Sequence, residues 1–134
     1  PVSLTTGGIA DALERLAQRM GRETGTPVVV TAGELPALDR DTEVVLLRCA
    51  QEGLANVRKH AGASTASVLL TAGDGFARLE VRDDGHGFDA GASTDGFGLS
   101  GMHDRLALVG GTLDVASSIA GTVLTVTVPI GGAA

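Results

Sequence analysis

The chain has 134 residues, 43 % of them hydrophobic, and a formal net charge of -6. That composition supports one domain with a real core and excludes global disorder. The acidic balance argues against a phosphate-backbone binder, and three Phe with no Trp or Tyr argue against an aromatic platform, so no nucleic-acid partner is expected. The single cysteine, Cys49, can form neither an internal disulfide nor a zinc site, and a small buried thiol is its expected state. No apolar run reaches the roughly 20 residues of a membrane span, so no direct membrane insertion is expected. The chain opens at Pro1 without a signal peptide. It is expected to be a cytoplasmic piece of a longer protein, whether or not that parent is membrane-anchored.

Ile9, Leu13, Leu16, Ala17 and Met20 recur at helical spacing, predicting a helix over Ile9–Arg22 that Gly25 and Pro27 stop. Pro27–Thr31 reads as a short strand. Asp41 is expected to begin a longer helix that runs to about Ala61 and ends at Gly62. The pattern then changes to period two, giving strands at Thr65–Thr71 and Phe76–Asp83 joined by a Gly-Asp-Gly turn. Residues 86–101 are glycine-rich and aperiodic. A short helix is predicted at Met102–Val109, and Gly110-Gly111 leads into strands Thr112–Ser117 and Thr122–Val128. This order implies an α+β two-layer sandwich, with one mostly antiparallel mixed sheet and helices on one face.

Two features carry chemistry. On the predicted helix 41–61, Leu46, Leu47, Ala50, Leu54, Val57 and Ala61 form the packing stripe, while Glu52, Asn56, Lys59 and His60 share a separate arc. That arc reads either as an ordinary solvated face or as a Mg-polyphosphate site. In the second reading Asn56 supplies a neutral oxygen ligand, Lys59 and His60 neutralise phosphate, and Glu52 orders a metal-bound water. In the strand Phe76–Asp83, Asp83 continues the apolar face of Ala77, Leu79 and Val81. A carboxylate there either caps the turn into Asp84-Gly85 or accepts an exocyclic amino group such as adenine's. Gly85 and Gly87 let the backbone approach whatever fills that space. Thr122 points inward beside Leu124 and Val126 on the last strand.

Gly96–Gly101 matches GxGxxG literally, but the residues before it form a loop and not the strand that a dinucleotide site needs. No spacing among His60, His86 and His103 suggests zinc. Gln51–Ala61, Asp83-Asp84-Gly85-His86-Gly87-Phe88, Gly96-Phe97-Gly98-Leu99-Ser100-Gly101-Met102 and Gly121-Thr122 together resemble the boxes of the catalytic ATP-binding domain of bacterial sensor histidine kinases. That domain belongs to the superfamily of gyrase B, Hsp90 and MutL. The short lid and the wording around Asn56 resemble the nitrate-sensor and fluidity-sensor subgroup.

The resemblance implies the Bergerat ATP-binding fold over the whole chain: a leading helix and strand at 1–40, a nucleotide core at 41–129, and an ATP lid at 86–101. It implies Mg2+ and ATP as cofactors. Asp83 would accept the adenine amino group, with Thr122 helping through a water, and Asn56 would bind Mg2+. Lys59 and His60 would contact phosphate, and the amides of Gly96, Gly98 and Leu99 would cover the triphosphate, with Gly85 and Gly87 lining the site. Glu52 corresponds to the superfamily's water-ordering acid. Asp84 stands where the family usually has Asn, and His103 where Arg is frequent. The implied activity is transfer of the γ-phosphate to a histidine on a separate phosphoacceptor and dimerisation domain, and thence to a response regulator. The rival readings are an anti-sigma-factor-type serine kinase and a degenerate docking module.

Overall fold

The computed structural model describes residues 8–85 and 99–130. The opening helix forms as α1 (Gly8–Thr24) and buries Ile9, Ala12, Leu13, Ala17 and Met20 on one stripe. Strand β1 (Val28–Ala32) follows. Helix α2 (Arg40–Asn56) starts one residue before the expected Asp41, because Asp39 is the cap: its carboxylate accepts from the Thr42 amide at 2.7 Å. Asp41 and Glu43 instead occupy the first turn, where their charges complement the helix dipole.

The expected helix to Ala61 is helical throughout but not α-helical throughout. The α geometry ends at Asn56, and Val57–Ala61 form a π turn that Gly62 terminates at φ 60°. The hairpin is as the pattern predicts. β2 (Ala66–Gly73) and β3 (Phe76–Asp83) pair antiparallel, and Asp74 and Gly75 turn the chain with φ 55° and 83°, the two positive values of a type I′ turn.

Helix α3 (Leu99–Ala107) begins three residues earlier and ends two earlier than the sequence pattern suggests. The reason is burial: Leu99, Met102 and Leu106 form its core stripe, so Leu99 belongs to the helix and not to a loop. Residues 99–101 of the expected lid are therefore its first turn, and 86–98 lie outside the described residues. The Gly111 amide closes the end of α3 on the Leu106 carbonyl at 2.8 Å. Strands β4 (Thr112–Ser118) and β5 (Gly121–Pro129) complete the sheet.

The strand order is β1-β2-β3-β5-β4, with β1 and β2 parallel and every other pair antiparallel. The parallel pair is joined through α2, the crossover that parallel neighbours require. Val68, Leu70, Leu79, Val81, Leu124, Val126 and Val128 form the inner face, buried against Leu13, Leu46, Ala50, Leu54, Met102 and Leu106 of the helices. The other face carries Arg78, Arg82 and Thr125 and is partly open to solvent. The result is the expected α+β sandwich with its helices on one side. Among the described residues, no helix is long and apolar enough to cross a membrane.

Candidate nucleotide-binding site

The site is assembled where the inner face runs out of apolar residues. Cross-strand register puts Ala66, Asp83, Thr122 and Ser117 in one row across β2, β3, β5 and β4, at the end of the sheet. Thr122 is buried, and its Oγ1 lies 2.9 Å from Ser117 Oγ. Asp83 is half-buried and divides its two oxygens: Oδ1 accepts from the Gly85 amide at 2.8 Å, while Oδ2 has no partner among the described residues. The turn-capping role and the capacity to accept a ligand N–H therefore coexist in one carboxylate. Gly121 makes the row possible. Its φ is 138°, and a Cβ built there would lie 2.1 Å from the Asp83 carbonyl oxygen.

Helix α2 reaches this row from above. At Gly53 an added Cβ would come within 3.1 Å of Val81, so the glycine lets the helix sit close on β3. Asn56, nearly one turn further on, is delivered buried at the helix end. Gly53, Asn56, Val57, Val81, Asp83, Thr122 and Leu124 line a cavity of about 20 Å3. Three polar side chains from a helix and two strands thus converge on a space of roughly one water.

Glu52 is half-exposed one turn before Asn56, and Lys59 is exposed on the π turn. An i→i+5 turn is wider than an α turn, so the α-helical spacing behind the expected arc does not continue past Asn56. The His60 side chain, Gly87, Gly96 and Gly98 lie outside the described residues. Gly85 is buried beside Asp83, and Leu99 anchors the start of α3 in the core with its side chain.

A family model described as histidine kinase-, DNA gyrase B-, and HSP90-like ATPase matches residues 41–132. The chain belongs to this family. It is 40 % identical over 127 residues to the sensor histidine kinase MctS of Rhizobium johnstonii, covering 91 % of this chain and 28 % of that protein. The blue-light activated histidine kinase of Erythrobacter litoralis shares the fold with a TM-score of 0.75 at 22 % identity, over 91 % of this chain and 42 % of its own. Full-length ShkA in complex with AMPPNP aligns with 100 % of this chain and 32 % of its own, at TM-score 0.72 and 27 % identity. The chain spans about a third or less of the curated relatives it matches. They are named as histidine kinases, so the serine-kinase reading is not favoured.

As a histidine-kinase-type ATPase domain, the chain departs from the family wording at Asp84, and the structure shows what that side chain does. It turns away from the cavity. Oδ1 accepts from the amides of Ser64 at 2.8 Å and Thr65 at 2.9 Å, and Oδ2 accepts from Ser64 Oγ at 2.5 Å. These bonds hold its carboxyl down to about 2, below the usual carboxylate value. Its charge is thus absorbed by the loop entering β2. His103 is exposed on α3. Cys49 is fully buried, and burial pushes its thiol up to about 12 against the opposing pull of Arg105, leaving it neutral and unreactive. Sequence reasoning missed Ser117, although alternation with Leu113 and Val115 on β4 already puts it on the inner face.

Proposed function

We propose that this domain binds Mg-ATP with its base at Asp83 and Thr122 and its phosphates toward Asn56 and Lys59, and presents the γ-phosphate to a histidine on a separate phosphoacceptor and dimerisation domain. The observation that carries this reading is the convergence of Asn56, Asp83 and Thr122 on one small cavity. Asp83 Oδ2 would accept the adenine amino N–H, and the cavity's volume, about that of one water, supports a water through which Thr122 would take part. Lys59 offers phosphate a cation on a solvent-facing turn. The first-turn amides of α3, Leu99 included, lack intrahelical partners and suit phosphate oxygens. Gly85, and with it Gly87, Gly96, Gly98 and His60, complete the nucleotide-binding set that the family resemblance implies.

The donor set fits magnesium. Asn56 offers a hard, neutral oxygen and Glu52 a carboxylate one turn away, and magnesium commonly takes only one or two protein ligands beside phosphate and water. Among the described residues no three His, Cys, Asp or Glu side chains converge on a metal position. The ion would therefore depend chiefly on the triphosphate, whose charge it neutralises. Glu52 would orient a water of that ion. From the phosphoacceptor domain the phosphate would pass to a response regulator. An ATP-consuming signalling domain of this kind works in the cytoplasm.

Calorimetric titration with ATP and a non-hydrolysable analogue, with and without magnesium, tests the reading. Magnesium-dependent binding is expected, and Asp83→Asn should weaken it roughly 10- to 100-fold with the fold intact, because a charged acceptor is replaced by an amide that also donates. A folded protein that binds no ATP, or an Asp83→Asn variant that binds as well as the wild type, would sink the assignment.

A further inference from the structure

All 10 Lys and Arg residues fall within the described residues, and of these side chains Arg105 alone is half-buried while the others are exposed. We propose that Arg105 is a further nucleotide-binding residue, whose guanidinium takes the terminal phosphate of ATP. This inference rests on the nucleotide-binding reading above and adds one residue to it.

Arg105 belongs to the last turn of α3, where a cation ordinarily serves the helix dipole by reaching the final carbonyls. Its guanidinium lies elsewhere. It folds back one turn, and both of its terminal nitrogens are 3.9 Å from where a Cβ on Gly101 would stand. Gly101 is in the first turn of α3, so the charge is carried toward the end of the helix that faces the site. On its other side the guanidinium faces α2, close enough to Cys49 for its charge to oppose the rise of that thiol. Cys49 lies two turns before Asn56 on the same face of α2, with Glu52 between them. The cation therefore stands between the first turn of α3 and the stripe of α2 that ends at Asn56.

No group of the fold answers this charge. Among the described residues Arg105 makes no ion pair, and its side chain makes no hydrogen bond. A guanidinium cannot shed its proton, and holding one half-buried without a counter-charge costs stability. An anion that arrives with the ligand relieves that cost, and a phosphate suits the planar fork because two of its oxygens can be met at once. The order of groups along the nucleotide decides which phosphate it is. The base is at Asp83 and Thr122, Asn56 follows, and Cys49 lies about 10 Å further back along α2. The terminal phosphate is the one farthest from the base, and Arg105 is the cation at the far end of that path. Lys59 stands on the π turn beyond Asn56, so the two cations bracket Asn56 from either side. ADP lacks the terminal phosphate, so the contact ends with transfer.

The experiment is calorimetric titration of ATP and of ADP, each with magnesium, into the wild type, Arg105→Met and Arg105→Gln, with melting curves to establish folding. ATP affinity should fall about 10- to 100-fold in both variants, the scale of a charge-assisted bond to phosphate, while ADP affinity stays at the wild-type value. Arg105→Gln is polar and carries the test alone should the apolar variant fail to fold. An equal loss of ATP and ADP overturns the proposal and leaves Arg105 a packing group between α2 and α3. Unchanged affinity for both nucleotides overturns it as well. A wild type that binds neither nucleotide overturns the nucleotide reading itself, and the wild-type titrations alone distinguish that failure from a wrong role for Arg105.

Discussion

At the open end of the sheet, Asp83 and Thr122 sit on central strands paired on both sides, whereas Asn56 sits where α2 passes into a π turn. A ladder position is fixed by neighbours on either hand, and its row partners follow from register. The helix end is held differently: the Val57 amide is shared between the Gly53 and Leu54 carbonyls, and beyond it the α pattern is gone. The difference matches the two tasks proposed for the site. Reading a base demands fixed donors and acceptors, while phosphate and its cation are held by charge, which tolerates adjustment.

The largest expected effect comes from breaking the rigid end. Gly121→Ala places a Cβ where the Asp83 carbonyl already stands, at a backbone conformation that disfavours any side chain. β5 would have to part from β3 at the row that carries the site. A destabilisation of roughly 3 kcal/mol or more follows from strain and overpacking together, lowering Tm by roughly 10 °C and abolishing ATP binding. Gly73→Ala is the control, since nothing lies within 4 Å of a Cβ built there. Equal melting temperatures for the two variants would show that Gly121 is not what ties the strands at the site.

A medium effect is expected at the helix end. Asn56→Ala should leave the fold in place and remove about tenfold of ATP affinity, all of it from the magnesium-dependent part. Titrations of the variant with and without magnesium should then nearly coincide. If the magnesium dependence survives, the metal is held elsewhere, and the contrast between the two ends loses half its chemical meaning.

How far the sequence foretells this molecule depends on whether a feature is periodic. Alternation in Phe76–Asp83 and in the last strand is strict, and it correctly puts Asp83 and Thr122 on the buried face. The hairpin was equally legible, because Asp74-Gly75 suits the turn that matches strand twist. Three things were not legible. Asp39 outcompetes Asp41 as cap, a choice between two good cappers two residues apart. The π turn at Val57–Ala61 has no periodic signature over five residues, so α-helical spacing does not foretell it. Leu99 belongs to α3 because its side chain finds the core, a tertiary fact that the surrounding glycines conceal. Asp84 is a fourth case of another kind: alternation past the inward Asp83 turns it outward, but its partners Ser64 and Thr65 lie some 20 residues away across the β2–β3 pairing.

Asp84 also gives the smallest effect and the one that separates the loop from the site. Its carboxyl is lowered from 3.8 to about 2 by bonds from Ser64 and Thr65. A lowered acid favours the folded state wherever the unfolded chain's carboxyl is ionised, that is above about pH 4, and this contribution fades as pH falls through 2. Asp84→Ala should therefore melt slightly below the wild type at pH 6, with the gap narrowing steadily from pH 4 toward pH 2. Asp84→Asn keeps an acceptor for the two backbone amides and should lie between them. Because the side chain faces away from the cavity, the ATP-to-GTP ratio should stay at the wild-type value in both variants. A pH-independent gap would mean that the ionised form is not what the loop recognises. A change in base preference would mean that the Ser64–Thr65 loop and the row of Asp83 and Thr122 are coupled, so that the row is not fixed by strand register alone.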